Sequence, residues 1–243
     1  MVARCCLRLL RPGMTLKLLG LSLLLVTRAS AGVLEATNFA AYPDYTGNLT
    51  VAGSVYLLDV PNGQLMFFHL TGVDTACTAP TDAANSCGVH VHEGMTCDTA
   101  ADVGGHYWDS SYVADDPWAN VVYAVADGES MTMGVGITVG TGVSNSDNLG
   151  RAFVVHDSSG GRVACALLAT PSTDALLTSS FVPYPGYTGN YAVQGPVLFL
   201  SSDAAQTMYY HLTGVDTGCN STPPDVANAC GVHIHVGTNC SVA

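Results

Sequence analysis

The sequence predicts an all-β fold: an antiparallel sandwich or barrel in one complete unit, followed by a partial second copy. Three observations predict it. Short apolar runs with a period near two recur along the chain, separated by Gly, Asn, Asp and Pro. Hydrophobic residues make up 48% and charged residues 11%, with 26 glycines, a composition suited to strands and turns. A long stretch of sequence occurs twice, and nothing past residue 31 combines helical spacing with capping residues.

Residues 1–31 come first and differ from the rest. A basic start (MVARCCLRLLRPGMTLK), an apolar LLGLSLLLV and a small-residue ASA before Gly32 read as a secretory signal peptide cleaved after Ala31. The apolar run is short for a membrane span, although an uncleaved anchor is the alternative reading. The mature chain is therefore expected to be soluble and secreted, with no membrane association. Five of the seven basic residues lie in this segment. The remainder keeps Arg151 and Arg162 against 19 acidic residues, a formal charge of −17. Such a surface repels nucleic acid and anionic membranes, so neither is an expected partner. An anionic substrate would need one well-placed positive group, which makes Arg162 conspicuous.

The first unit runs from residue 33 to 172. LTVAGSVYLL, LMFFHLTGV, GVHVHE, ANVVYAVAD, MTMGVGITV, RAFVVHD and RVACALL are its candidate strands. The second copy follows. YPDYTGNLTVAGSVYLL from Tyr42 returns as YPGYTGNYAVQGPVLFL from Tyr184, and FHLTGVDTAC from Phe68 as YHLTGVDTGC from Tyr210. CGVHVHEGMTC (Cys87–Cys97) returns as CGVHIHVGTNC (Cys230–Cys240). A period this long is that of a domain. TPSTDALLTSS supplies a linker over 173–183, and 184–243 is a truncated second repeat. A fragment, a decayed repeat and half-barrels that pair between chains all account for the truncation. Unpaired strand edges there would favour self-association.

Seven cysteines past residue 31, in a chain bound for an oxidising compartment, imply disulfides. Cys77 and Cys87 flank TAPTDAANS, and Cys219 and Cys230 flank the matching loop, so recurrence points to two local disulfides. Asn48, Asn220 and Asn239 head glycosylation tripeptides, in keeping with a secreted glycoprotein.

The chemistry centres on histidine. In a strand, His90 and His92 share a face and present two imidazoles side by side, which suits copper or zinc. Two histidines so spaced are equally compatible with a structural or surface role. Two further strings add to them: GGHYW with His106, and GRAFVVHDSSGGRVAC with His156, Arg162 and Cys165.

The ordered set HVHEG-x-x-C, GGH, GRAFVVHD and RVAC resembles the copper/zinc superoxide dismutase family over nearly all of the first unit. The resemblance implies a Greek-key antiparallel β-barrel, an immunoglobulin-like sandwich. It implies copper held by His90, His92, His106 and His156, with His106 also a catalytic proton donor. Arg162 would hold the superoxide anion, and Cys97 and Cys165 would form the internal disulfide. The sequence departs from zinc-containing members, with no histidine between His106 and His156, only eight residues between His156 and Cys165, and no long charged loop. These losses match the copper-only, secreted, repeat-containing branch, so the resemblance implies no zinc. Asp116 in DDPW then hydrogen-bonds and orients His106, with plain surface placement as the alternative.

The remaining histidines and charges carry no chemistry in this reading. His69 and His211 are half-buried or surface residues, and Glu93 faces away from His92 as a structural group. Arg151 pairs with an acid, and Trp108 and Trp118 pack loops. His233 and His235 lack the other ligands. The expected activity is antioxidant, the copper-dependent dismutation of superoxide by the first repeat. The alternatives are a non-enzymatic copper-binding module and a structural extracellular module stapled by disulfides.

Overall fold

The structure, a computed structural model, describes residues 27–28, 32–172, 175–201, 205–219, 225–236 and 240. The proposed signal peptide lies outside the described residues except for Thr27–Arg28, as do Asn220 and Asn239. The chain forms two compact units that divide at Ser172 and Thr173. In chain order the strands are β1 (Thr27–Arg28), β2 (Val33–Ala36), β3 (Ala40–Ala41), β4 (Ala52–Val60), β5 (Gly63–Thr71) and β6 (Val89–Val91). There follow α1 (Ala100–Val103), β7 (Met131–Val139), α2 (Asn145–Asn148), β8 (Ala152–His156) and β9 (Arg162–Leu167). The last three are β10 (Ala175–Thr178), β11 (Val197–Ser201) and β12 (Gln206–Tyr210).

The first unit holds two four-stranded antiparallel sheets, ordered β2-β4-β5-β7 and β3-β9-β8-β6. Neither closes into a barrel, so of the two architectures left open by the sequence the closed one does not form. Edge strands β3 and β6, two and three residues long, leave the second sheet without the ladder that closure needs. Both sheets contribute to one core. Val55, Leu57, Met66, Phe68 and Leu70 come from the first, and Val89, Val91, Phe153 and Val155 from the second. Trp118 and Tyr123, fully buried, enter the same core from the long β6–β7 connection.

The period of two decides what the second sheet does. On β6 and β8, Val89, Val91, Phe153 and Val155 face the core, so His90, Ala152, Val154 and His156 face the other way. That outer face has its own small cluster of Tyr42, Val103, Ala152, Val154 and Cys165, against which Cys97 packs. The histidines are thus buried beneath connecting loops instead of within the core.

One expected strand does not form. ANVVYAVAD crosses the 87–89 segment through the bonds Val89 N–H to Val121 O (3.1 Å) and Tyr123 N–H to Cys87 O (2.9 Å). Its Val125 N–H then goes to Cys77 O at 2.9 Å, so its backbone groups are spent locally and no ladder extends.

The second unit, described by itself, has the sheet order β1-β10-β11-β12. Its register repeats that of the first: Val33 opposite Leu58 corresponds to Ala175 opposite Leu200, and Val55 opposite Phe68 to Val197 opposite Tyr210. Strand β10 falls inside the segment 173–183 that the sequence reading assigned to a linker. It is the counterpart of β2, so the repeat begins before Tyr184. The second core is thinner. Tyr210 is 44% exposed where its counterpart Phe68 is 1% exposed, and Ile234 is 46% exposed where Val91 is sealed.

Three disulfides join Cys77 to Cys87, Cys97 to Cys165 and Cys219 to Cys230. They suit an oxidising, extracellular setting. No helix among the described residues is long and apolar enough to cross a membrane. The Cys97–Cys165 bridge spans 68 residues of sequence, and constraint of so long a loop is worth roughly 4 kcal/mol in the chain-entropy model. Replacing both cysteines by serine is expected to lower the unfolding free energy by about that amount. Urea melts of the two proteins check it, and an equal midpoint would show that the bridge adds nothing.

Candidate metal centre

Each of the four histidines named from the first unit's motifs is placed by a different backbone device. His90 lies at the centre of β6, opposite Val154 of β8. Gly88, two residues before it, must be glycine, because a Cβ there would lie 2.3 Å from the His90 ring. His92 pairs with His106 across a short antiparallel crossing, where Tyr107 N–H bonds Val91 O and Glu93 N–H bonds Gly105 O, both at 2.9 Å. His156 ends β8, and its N–H reaches Gly88 O at 2.8 Å. A β-bulge after Val155 then shifts the register so that Arg162 sits opposite His156.

The rings converge. His90 and His106 have centroids 4.3 Å apart, His90 and His156 4.9 Å, and His92 and His106 5.0 Å. One nitrogen from each ring falls within 4.8 Å of the other three. Among the described residues, no other group of three or more His, Cys, Asp or Glu gathers in this way. His69 and His211 are outside it, and so are His233 and His235 of the second copy.

Hydrogen bonds identify which nitrogens face inward. A carbonyl oxygen only accepts, so the ring nitrogen that meets one must carry the proton. His90 Nε2–H donates to Val121 O at 3.0 Å, His92 Nδ1–H to Gly104 O at 3.1 Å, and His156 Nδ1–H to Gly160 O at 3.0 Å. His106 Nδ1–H donates to Asp116 Oδ2 at 2.6 Å. The second nitrogens of the three buried rings, His90 Nδ1, His92 Nε2 and His156 Nε2, are sealed from solvent and have no hydrogen-bond partner. His106 supplies Nε2. Three orphaned lone pairs and a fourth beside them, all aimed at one point, form a donor set that fits a metal ion.

Burial also fixes the charge. Desolvation, followed by the neighbouring histidines, pushes His90 down to about 2. Desolvation likewise takes His92 to about 3 and His156 to about 4, with Arg162 among the further causes. All three are neutral at physiological pH, the form that ligates.

The surrounding shell is built from loops. Asp116 bonds His106 through Oδ2 and receives Trp118 N–H on Oδ1 at 2.9 Å, while Trp118 Nε1–H reaches Tyr107 O at 2.8 Å. Asp116 therefore has the orienting contact, not plain surface placement. The turn after His156 is braced at Ser158, whose carbonyl accepts the buried Ser86 hydroxyl at 2.9 Å and whose N–H donates to Asp74 at 2.9 Å. Gly160, whose carbonyl holds His156, has φ +84°, and a Cβ would meet Ala84 O at 2.0 Å.

An open cleft lined by His106, Arg162, Trp108, Asn85, Glu93 and Asp116 leads to the centre. Glu93, read from the sequence as a structural group facing away from His92, is among the residues that line this cleft. Its carboxylate receives Gly105 N–H at 3.4 Å, because the chain turns back on itself after His92. Arg151 differs from its expected pairing with an acid. Its Nε–H donates to Asp147 O at 2.7 Å, a second N–H meets Glu93 O at 2.5 Å, and the guanidinium lies 3.3 Å from the centroid of the Tyr107 ring. Tyr42, which carried no role in the sequence reading, is the residue that holds Arg162.

The fold and site thus define an all-β chain with a buried four-histidine cluster able to hold a metal ion. No family model matches the chain, and no curated protein does.

The three depressed histidines make metal-free stability depend on pH. Their unfolded forms titrate near 6.5, so below that pH the unfolded chain binds protons that the folded chain refuses. Their contribution is fully present above about pH 6.5 and is lost as pH falls toward 4 and below. At pH 5, unfolding of the metal-free protein is expected to take up about three protons at these residues. Urea melts from pH 7 to 4.5 measure this, and a flat profile would contradict the neutral, buried assignment.

Proposed function

We propose that the first unit is a copper-only superoxide dismutase of the copper/zinc superoxide dismutase family, secreted after removal of residues 1–31. In this reading the two sheets form the family's Greek-key, immunoglobulin-like sandwich. The observation that carries the proposal is the set of four converging imidazole lone pairs with Arg162 in the same cleft.

His90, His92, His106 and His156 would hold copper through Nδ1, Nε2, Nε2 and Nε2 respectively. Bound copper supplies one-electron chemistry, taking an electron from one superoxide and giving it to a second, which yields oxygen and, with two protons, hydrogen peroxide. Neutral imidazole suits both oxidation states of copper. No histidine lies between His106 and His156, and Asp109 is engaged with Ser111 N–H and Oγ–H. The reading therefore includes copper without zinc.

Arg162 draws the anion in and orients it. Among the described residues it forms no ion pair, while Glu93 and Asp116 line the same cleft at longer range. In a chain with 19 acidic residues, that single guanidinium decides whether a small anion approaches the cleft. His106 is the least buried of the four and borders the cleft, so its Nε2 can hold a proton and pass it to reduced oxygen. When both ring nitrogens carry protons, the Asp116 carboxylate stabilises the imidazolium. The buried His90, His92 and His156 resist protonation and remain ligands throughout.

Metal analysis and superoxide consumption test the reading together. The copper-loaded protein is expected to hold one copper and no zinc, and to consume superoxide at a rate that falls steeply with ionic strength. His156→Ala should lose copper and activity. Arg162→Ala should keep copper, lose about tenfold in rate and lose most of the salt dependence. One bound copper without activity would favour the non-enzymatic copper-binding module, and stoichiometric zinc would overturn the copper-only assignment.

A further inference from the structure

We infer that Tyr42 is the positioning residue for Arg162: its hydroxyl holds the guanidinium at the cleft while leaving its charge intact. The inference rests on the functional reading above and specifies how its anion site is built.

The geometry is a short relay. Arg162 Nη1–H donates to Tyr42 Oη at 2.7 Å, and Tyr42 Oη–H donates onward to Ala100 O at 3.2 Å. The onward bond matters, because it commits the hydroxyl proton to Ala100 and leaves a lone pair for the arginine. Both ends of the relay are fixed. Tyr42 N–H bonds Val163 O at 2.9 Å, one residue from Arg162, and the ring is 7% exposed, packed with Val103, Ala152, Val154 and Cys165. Ala100 opens α1, three residues beyond Cys97, which is bridged to Cys165 on β9. The disulfide thus ties the segment that orients Tyr42 to the strand that begins at Arg162.

The chemistry of the acceptor is the reason for a tyrosine. An arginine on a cleft wall needs an acceptor to restrict its side chain, and a carboxylate would be the stronger one. Aspartate or glutamate there would cancel the charge that has to draw an anion toward an acidic protein. A phenol hydroxyl accepts the bond without a counter-charge. Only one Nη is engaged with Tyr42, so the other N–H groups stay available to an anion in the cleft.

Tyr42→Phe retains the buried ring and removes only the oxygen. The full-length copper-loaded parent, Tyr42→Phe, Arg162→Met and the double variant are compared by azide titration, since azide is a small monoanion that colours Cu(II). Copper content, thermal midpoint and superoxide consumption are measured on the same samples. Tyr42→Phe is expected to keep its copper and thermal midpoint while azide affinity and superoxide rate both fall about three- to tenfold. The double variant should be no weaker than Arg162→Met, because the tyrosine acts only through the arginine. Unchanged azide affinity in Tyr42→Phe overturns the inference. So does unchanged affinity in Arg162→Met, an additive double variant, or a loss of copper or thermal midpoint that accounts for the change. If the parent binds azide but consumes no superoxide, the dismutase reading fails, and the azide comparison still decides the role of Tyr42. A chain that retains no copper overturns both.

Discussion

The centre depends on one kind of interaction, a ring N–H donated outward to a fixed acceptor. Each histidine has two nitrogens, and binding the first to Val121 O, Gly104 O, Gly160 O or Asp116 leaves the second turned inward with its lone pair bare. Tautomer and direction are set by the same bond. The acceptors come from loops, not from the sheets, so the loops are braced. The 121–125 segment is tied across Cys87 and Cys77, the 103–107 segment to residues 91–94, and the turn after His156 to Ser86 and Asp74.

Such an arrangement is costly while its centre is bare. Sealing an acceptor from water without a partner costs on the order of 1–3 kcal/mol, and the protein does so at His90, His92 and His156 in one place. Packing alone gives no reason to gather them. The same desolvation that raises this cost keeps the rings neutral and ready to ligate. The rest of the first unit is a two-sheet core of Val, Leu and Phe that backs the desolvated face. The disulfides add constraint where connecting segments are long.

Much of this was legible in the sequence because strand alternation is a local rule. GVHVH places valines on one face and histidines on the other whatever the rest of the chain does, and RAFVVH repeats the device on the neighbouring strand. Two of the cysteine pairs follow from the repeat, and the third, Cys97 with Cys165, is the one the family resemblance implies. Backbone acceptors were not legible, since Val121, Gly104 and Gly160 enter through carbonyls that carry no side-chain signature. The 119–127 run was misleading because its residues are strand-like while its hydrogen bonds go singly to Cys87, Val89 and Cys77. Tyr42 was concealed by the repeat itself. Its counterpart Tyr184 recurs in a copy where no counterpart of Arg162 was read, so the string looked like part of the scaffold.

Two of the groups that line the cleft differ in the acceptor each is given. His106 is held by a carboxylate and Arg162 by a phenol. In the proposed reading the difference matches what each group would do. A histidine that must accept a second proton gains from a nearby negative charge, which stabilises the imidazolium as it forms. An arginine that must attract an anion would be silenced by the same neighbour. Exchanging the two acceptors would leave the number of hydrogen bonds unchanged and would pair the guanidinium with a counter-charge. In the proposed reading, the choice of Asp116 for one and Tyr42 for the other suits the field each group would present to a small anion.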